Sequence, residues 1–210
     1  MKKLFCFLLA ISIIATSIHA QKDGAGGMQF GIKLGPNFSS WSGDDADPSA
    51  GEDKKMKLGL HGGFFAMIPI TSMLYFQPEL LYSGEGVKYE DSEEKATITA
   101  NYLNLPLNLR LQTTSGFYVL FGPQIGFSIG GKAKYEFMGQ ESEDDLEDLR
   151  GMILSGLIGA GFKSSSGFGV YARYAHGFSK VFDYGGDFDD PDVKGSTISL
   201  SLFYMFGAAK

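Results

Sequence analysis

Cysteine is nearly absent from the sequence, which also has one tryptophan and fewer basic than acidic residues. Cys6 is the only cysteine and lies in the first twenty residues, so the rest of the chain forms no disulfide. Lys and Arg number 18 and Asp and Glu number 24, for a formal net charge of −6. Because a phosphate-binding face needs clustered Lys and Arg, this balance argues against nucleic acid as a partner. No dinucleotide-binding, P-loop, zinc or protease motif is present.

Glycine and aromatic residues, by contrast, are abundant, with 29 Gly, 18 Phe and 10 Tyr among 210 residues. The apolar fraction of 44% is too high for a disordered chain. The length corresponds to one domain or at most two small ones. This composition indicates many short strands and turns rather than helices.

The first twenty residues have the form of a secretory signal peptide. Lys2 and Lys3 precede an apolar run at 4–18, and Ala20 closes it before polar residues begin. A positive start, an apolar stretch of this length and a small terminal residue are typical of such peptides. The run is shorter than the ~20 residues that span a bilayer, so an uncleaved anchor is the weaker interpretation. We therefore expect the protein to leave the cytosol.

From residue 29 onward, apolar and polar residues alternate with a period of two. We place eight strands near 29–41, 57–68, 74–89, 97–111, 117–131, 152–163, 168–183 and 196–206. Short connections alternate with longer ones, and the longer ones contain 20 of the 24 acidic residues. The longer connections are 42–56, 90–96, 132–150 and 184–195.

Short turns at one end of a meander and long loops at the other are typical of a transmembrane barrel. The expected fold is all-β: an eight-stranded antiparallel up-and-down transmembrane β-barrel. It occupies 29–210 and follows a signal peptide at 1–20 and a short N-terminal segment at 21–28.

The minor face of the strands decides which side lies inside. In the fourth strand, every second residue from Leu103 to Leu111 is Leu, whereas Asn104, Asn108 and Arg110 lie on the other face. Over the strand middles this minor face is mostly Gly, Ser, Asn, Gln and Tyr, which suits a narrow filled lumen better than a surface in water. The apolar face is therefore expected to point to lipid. A soluble periplasmic lipocalin-like carrier would need the inverted arrangement.

Five charged or titratable residues on the minor face form the candidate site: Lys33, His61, Glu79, Arg110 and Arg173. We expect them to form a polar lumen network with a structural role, because buried charges need partners. In an antiparallel pair, the residue numbers of facing positions have a constant sum, which we expect to be 186–188 for the third and fourth strands. Glu79 then lies opposite Asn108 and one diagonal step from Arg110. Glu79 is then expected to pair with Arg110 and Arg173.

The acidic loops are candidates for divalent cations, since hard cations bind several carboxylate oxygens. The best group is Asp187, Asp189, Asp190 and Asp192. It lacks the Gly and the bidentate Glu of an EF-hand loop, so we expect solvated surface and no metal site. Residues 142–150 are expected to form either a short helical turn or an irregular loop.

The histidines indicate no catalytic residue and no cofactor site. After the first twenty residues the chain has two, His61 and His176. Ser179 lies three residues after His176, and that spacing in a strand puts the side chains on opposite faces, so they cannot act as base and nucleophile. His61 is expected to belong to the lumen network. We expect that the protein is not an enzyme.

Four segments, in order, resemble a known family: FGIKLGPNFSSW (30–41), FQPELLYSGEG (76–86), NYLNLPLNLRL (101–111) and FGPQIGFSIGGK (121–132). They are similar to the PorT-like, or "porin family", outer-membrane β-barrel proteins of Bacteroidetes-type bacteria. The resemblance implies an OmpA/OmpX-like barrel in the outer membrane without enzyme activity, in a family that includes secretion-system components. It also implies that four in-strand prolines, which cannot donate to a ladder, belong to the family pattern: Pro36, Pro78, Pro106 and Pro123.

Two classes of function suit such a barrel. The first is a structural or adhesive role, in which acidic loops contact extracellular proteins or lipopolysaccharide. The second is a small transport channel or a secretion-associated barrel. Eight strands leave a lumen just filled by side chains, whereas open channels need ~16, and Tyr75, Tyr118, Tyr171 and Arg173 point inward. We therefore favour surface interaction, with outer-membrane lipid, lipopolysaccharide and extracellular or secretion-system proteins as candidate partners.

Overall fold

The computed structural model describes residues 27–47, 53–91, 94–137, 139–184 and 190–206. Within them the chain forms nine strands and one short 3-10 helix, Asp44–Ala46. The strands are β1 (Gln29–Ser42), β2 (Asp53–Pro69), β3 (Leu74–Glu90), β4 (Glu94–Gln112), β5 (Phe117–Phe137), β6 (Gln140–Asp145), β7 (Met152–Lys163), β8 (Phe168–Gly177) and β9 (Lys194–Met205). No helix among these residues is long and apolar enough to cross a membrane. The signal peptide expected at 1–20 lies outside the described residues.

Eight of the strands close into a ring. Apart from β6, each strand pairs antiparallel with the next along the chain, and β1 pairs with β9 to complete the circle, for example through Gly31 and Met205. β5 pairs with β4 on one side and with β7 on the other. The expected eight-stranded antiparallel up-and-down barrel is confirmed.

The two faces of the barrel follow the alternation in the sequence. In β4, Leu109 and Leu111 are 38% and 45% exposed, whereas Asn104, Asn108 and Arg110 on the other face are at most 1% exposed. The apolar residues therefore face outward and the polar residues face the lumen, as in a barrel surrounded by lipid. A soluble lipocalin-like carrier would have the opposite arrangement.

Two of the short turns at one end of the barrel share a chemical pattern. The hydroxyls of Thr113 and Ser164 each donate a hydrogen bond to the carbonyl of the first residue of the next strand, at 2.9 and 2.8 Å. Each turn ends on a glycine in the left-handed region, Gly116 at φ +95° and Gly167 at φ +91°. A side chain is strained at that φ, so the sequence places glycine there. We call this end the short-turn end.

At the opposite end the strands are longer than the sequence predicted. β3 ends at Glu90 and β4 begins at Glu94, so the loop expected at 90–96 is mostly strand. β5 likewise continues to Phe137, inside the loop expected at 132–150. Cross-strand pairs such as Lys95 with Glu136 match opposite charges along these extensions, which stabilises them as sheet.

Residues 142–150 were expected to form a short helical turn or an irregular loop, and both alternatives are wrong for 142–145, which belong to the strand β6. β6 pairs with the outer part of β5 and lies outside the ring. Two diagonal ion pairs cross this hairpin, Lys132 with Glu143 and Lys134 with Glu141. Alternating charges of opposite sign therefore favour a ladder here, where an isolated short helix would have little to stabilise it.

The end of β8 also differs from the prediction, since β8 stops at Gly177 and not near 183. The chain then folds inward, and an apolar cluster joins parts of it that lie on different sides of the ring. The buried members are Trp41, Ala46, Val87, Val181 and Val193, and Leu149 and Phe182 pack against them. We call this cluster the mouth cap, because it is buried at the long-loop end of the barrel.

The four in-strand prolines follow one rule. Each keeps its pairing with the strand that comes next around the ring: Pro36 with Leu60, Pro78 with Leu107, Pro106 with Gln124 and Pro123 with Gly156. Each lies at a gap in the ladder to the preceding strand. A proline without an N–H thus costs the barrel one local interruption on one side, and the ring stays closed.

Candidate functional site

The lumen contains a buried ion pair that joins β1 and β3. Lys33 Nζ lies 2.7 Å from Glu79 Oε1, and both side chains are at most 3% exposed. Arg173 of β8 approaches the second oxygen of the same carboxylate, with Nη1 3.6 Å from Glu79 Oε2. One carboxylate thus pairs with two cations, one from β1 and one from β8, the strand opposite β3 in the ring, as expected for charges taken out of water.

Arg110 does not contact Glu79, contrary to the sequence prediction. Its Nη1 donates to Gln77 Oε1 at 2.8 Å, and Gln77 Nε2 donates to Glu79 Oε1 at 2.7 Å, so Gln77 bridges the two. The predicted register was wrong as well, because Asn108 pairs with Gln77 and not with Glu79. β3 and β4 extend to Glu90 and from Glu94, and Glu90 pairs with Lys95, which shifts the pairing from the value assumed for a longer loop.

The two histidines each contact a serine of β9. His61 Nε2 lies 2.7 Å from Ser201 Oγ in the lumen, and His176 Nδ1 lies 2.9 Å from Ser196 Oγ. Ser179 Oγ accepts a hydrogen bond from the Leu154 N–H and does not contact His176. His61 is 3% exposed, so its place is within the lumen network.

A second polar layer lies between the ion pair and the mouth cap. Glu85 Oε1 accepts hydrogen bonds from Ser83 Oγ at 2.7 Å and Asn104 Nδ2 at 3.1 Å, and its Oε2 accepts from Thr197 Oγ1 at 3.0 Å. Sequence reasoning missed Glu85 and the bridging Gln77. The signal was available, because both share the odd-numbered lumen face of β3 with Glu79.

Aromatic side chains fill the lumen beside the charges. Tyr118 and Tyr171 stack with ring centroids 6.0 Å apart. The Arg110 guanidinium lies 3.5 Å from the centroid of the Tyr118 ring, and Lys33 Nζ lies 4.7 Å from that of Tyr171. Such contacts stabilise cations that have left water. Together with Phe203 and other buried apolar residues, they leave a packed interior.

Ion pairs fix the loops of the mouth cap. Arg150 Nη2 lies 2.5 Å from Asp190 Oδ2, and Arg150 Nη1 lies 3.7 Å from Asp183 Oδ2. Lys180 Nζ donates to the Asp190 carbonyl at 2.5 Å. Arg150 therefore ties the segment before β7 to the chain that follows β8.

No metal centre is found among the described residues, where no three His, Cys, Asp or Glu side chains are placed to hold an ion. The best cation candidate in the sequence was a group of four aspartates. Two of them, Asp187 and Asp189, lie outside the described residues. Asp190 pairs with Arg150, and Asp192 pairs with Lys194 at 3.0 Å.

The β5–β6 hairpin carries charged pairs in the open. The Lys132 ammonium donates a hydrogen bond to Glu143, which raises the pKa of Lys132 and lowers the pKa of the Glu143 carboxyl. A hydrogen bond to Glu141 likewise raises the pKa of Lys134. Every side chain of β6 is exposed, so this edge is available to other molecules.

Comparisons with known proteins agree with the fold. Residues 19–183 match the family described as outer membrane protein beta-barrel domain. No curated protein matches the chain.

Among solved structures, the chain is similar to Ail, the attachment invasion locus protein of Yersinia pestis, at 18% identity and a TM-score of 0.49, with 86% of this chain and 100% of that chain covered. It is also similar to Neisserial surface protein A at 13% identity and a TM-score of 0.49, with 87% and 99% covered. A third similar structure is the outer membrane protein OprG from Pseudomonas aeruginosa, at 11% identity and a TM-score of 0.44, with 87% of this chain and 98% of that chain covered. The family match covers most of the chain: this protein belongs to the outer membrane protein beta-barrel domain family and is located in the outer membrane.

Proposed function

We propose that this barrel has a structural or adhesive role at the cell surface and is not an open porin. The main support is that three strands are longer than the membrane is thick. β3, β4 and β5 have 17, 19 and 21 residues, whereas ~9–11 residues of a tilted strand cross a bilayer. Short turns of such barrels lie on the periplasmic side, so the surplus length projects outside the cell. The signal peptide expected at 1–20 would supply the export route.

The projecting sheet ends in an acidic edge strand. Within the part of the chain that the structure describes, β6 has one neighbour, β5, so its outer edge has no strand to pair with. The outer hairpin carries two cations, Lys132 and Lys134, against five carboxylates: Glu136, Glu141, Glu143, Asp144 and Asp145. An edge of this kind suits an extended segment of an extracellular protein that is rich in Lys and Arg. Outer-membrane lipid and lipopolysaccharide would surround the barrel below it.

The interior supports a closed barrel. Eight strands leave a lumen just wide enough for side chains, and here Tyr118, Tyr171 and Arg173 are each at most 5% exposed. The mouth cap adds apolar packing at the long-loop end, where Trp41 and Val181 are buried in one cluster. A transport or secretion role would require both to move.

The test measures binding of a fluorescent peptide of alternating Lys and Thr to the full-length protein in lipid nanodiscs. We expect binding to the wild type and loss of binding in Asp144→Lys/Asp145→Lys. The matched control is Ser165→Lys/Ser166→Lys, which adds the same lysines in a short turn at the opposite end and should bind like wild type. Equal binding by the wild type and the β6 variant would refute the proposal. So would equal binding of a proline-containing version of the peptide, because proline blocks strand addition.

Planar-bilayer recording tests the alternative. The closed lumen should give no steady conductance on the scale of a general porin. Stable large channels from the wild-type protein would favour transport over surface interaction.

A further inference from the structure

The lumen holds more positive than negative charge in one buried layer. Lys33, Arg110 and Arg173 are each at most 4% exposed, and Glu79 is the one carboxylate that contacts any of them among the described residues. A guanidinium keeps its charge in proteins. The two arginines therefore outweigh Glu79 even when Lys33 is counted as neutral.

The other lumen carboxylate belongs to a different layer. Glu85 lies six residues beyond Glu79 on β3, a distance of about 20 Å along a strand at ~3.3 Å per residue. Its oxygens already accept three hydrogen bonds from hydroxyl and amide groups. Glu85 therefore leaves the excess charge around the arginines uncompensated.

Arg110 and its neighbour Asn108 each have a buried hydrogen-bond donor without an acceptor in the described part of the chain. Arg110 Nε and Asn108 Nδ2 are buried and have no partner among the described residues, and both side chains lie on the lumen face of β4, two residues apart. Asn108 Oδ1 is also unpartnered, so reversing the amide does not satisfy the donor. Arg173 Nη1 has no hydrogen bond either. Buried donors without acceptors are rare because each loses its hydration without compensation.

We propose that a small inorganic anion, the size of chloride, binds in the lumen beside Arg110, contacted by Arg110 Nε and the Asn108 amide group. Water could accept the same hydrogen bonds, but it would leave two buried guanidinium groups with one carboxylate between them. A halide-sized anion supplies both the acceptor and the negative charge. Tyr118 packs 3.5 Å from the guanidinium and forms one wall of this site. This site is independent of the proposed surface role.

Bromide provides a direct probe, because its anomalous scattering distinguishes it from water. Crystals of the wild-type protein grown in sodium bromide should show an anomalous peak in contact with Arg110 and Asn108. This measurement needs no variant and so does not depend on the folding of one. A lumen that shows water alone at this position would overturn the proposal.

Urea unfolding in lipid vesicles at constant ionic strength, with gluconate replaced by bromide, provides the second measurement. At a bromide concentration ten times its dissociation constant, the unfolding equilibrium constant of the wild type should fall about tenfold. Arg110→Met and Asn108→Leu should lose this response. The control Lys95→Met removes an exposed cation paired with Glu136 and should keep it. The same response in all four proteins would show a general salt effect and overturn the proposal.

Discussion

Lys33 reaches Glu79 across an intervening strand. β1 and β3 are not neighbours in the ring, yet Lys33 Nζ and Glu79 Oε1 are 2.7 Å apart. The residue that faces Lys33 on β2 is Gly63, which has no side chain to separate them. The same arrangement recurs nearer the mouth cap, where Asn37 Nδ2 of β1 donates to Ser83 Oγ of β3 at 2.7 Å over another glycine of β2. Glycines in β2 therefore let side chains of β1 and β3 meet.

Removing the charge of Glu79 should destabilise the barrel by leaving Lys33 and Arg173 without a counter-charge. Breaking a buried pair costs about 3–5 kcal/mol in soluble proteins, and water in the lumen reduces the cost. We expect Glu79→Gln to lower the free energy of unfolding and Glu79→Gln/Lys33→Met to recover part of the loss. Urea unfolding in lipid vesicles measures both.

The control for this pair is Glu90→Gln, which removes a carboxylate from exposed ion pairs with Lys55 and Lys88. Ion pairs in contact with solvent contribute little to stability, so this variant should resemble wild type. If Glu79→Gln unfolds at the same urea concentration as Glu90→Gln, the lumen pair does not stabilise the barrel.

A methyl group at Gly63 should be poorly tolerated. A Cβ built there would lie 2.0 Å from the Leu80 carbonyl oxygen, whereas at Gly62 the nearest atom would be the Lys33 carbonyl oxygen at 3.4 Å. Gly63→Ala therefore forces β2 away from β3 and should cost about 1–3 kcal/mol, as overpacking does. Gly62→Ala is the matched control in the next position and should cost little. Equal unfolding midpoints for the two variants would contradict this account.

The sequence predicted the lumen residues and the pairing of Glu79 with Arg173, but not the contacts of Glu79 with Lys33 and Gln77. Period-two alternation assigns Lys33, Glu79 and Arg173 to one face because successive side chains in a strand point to opposite sides. Their contacts depend on register, and register depends on where a hairpin turns. The residue numbers of paired positions in β3 and β4 add up to 185, as for Gln77 and Asn108, whereas the prediction assumed 186–188. This small error put Glu79 opposite Asn108 in the prediction.

The mouth cap was not predicted because its contacts join distant parts of the chain. Val181 falls in a segment that alternates like a strand, and pattern alone extended β8 through it. In the structure this segment pairs with residues near Leu149 and Val193. Tertiary contacts of this kind override a local pattern, and no feature within 178–183 indicates them.

Acid should disorder the β5–β6 hairpin before it affects the barrel. Lys132 lowers the pKa of Glu143 below its unfolded value, so the stabilisation is complete above about pH 4.3 and is lost as the pH falls through the folded pKa. Because the pKa of Lys132 is raised, the same pair persists to about pH 10.4 and beyond. Near pH 3 the backbone NMR chemical shifts of 140–145 should move from values typical of a strand to values typical of a disordered chain. Those of β1 and β9 should stay unchanged.

The variant Lys132→Gln/Glu143→Gln isolates this pair from its neighbour. It should weaken the hairpin at neutral pH and show less change on acidification, with the Lys134–Glu141 pair responsible for what remains. An acid response as large as that of the wild type would mean that the Lys132–Glu143 pair does not order the hairpin.

Breaking the ion pairs of Arg150 should open the mouth cap, and Trp41 should report it. Trp41 is the single tryptophan of the chain, is 5% exposed and packs edge-on against Phe182 at 5.2 Å. Arg150→Gln removes the pairs with Asp190 and Asp183. Since partly exposed pairs contribute up to about 1 kcal/mol, the open population should rise about fivefold. Tryptophan fluorescence should then shift to longer wavelength and become more sensitive to acrylamide.

The control must disturb an ion pair at the same end of the barrel without touching the cap. Lys55→Gln does so, because Lys55 pairs with Glu90 at 3.2 Å and its side chain is 50% exposed. Its Trp41 fluorescence should match that of the wild type, and both variants should keep the different gel mobilities of unheated and boiled samples that a closed barrel gives. A red shift in Arg150→Gln with the barrel intact separates opening of the cap from unfolding. An unchanged spectrum would show that the apolar contacts of Trp41 and Phe182 hold the cap closed without Arg150.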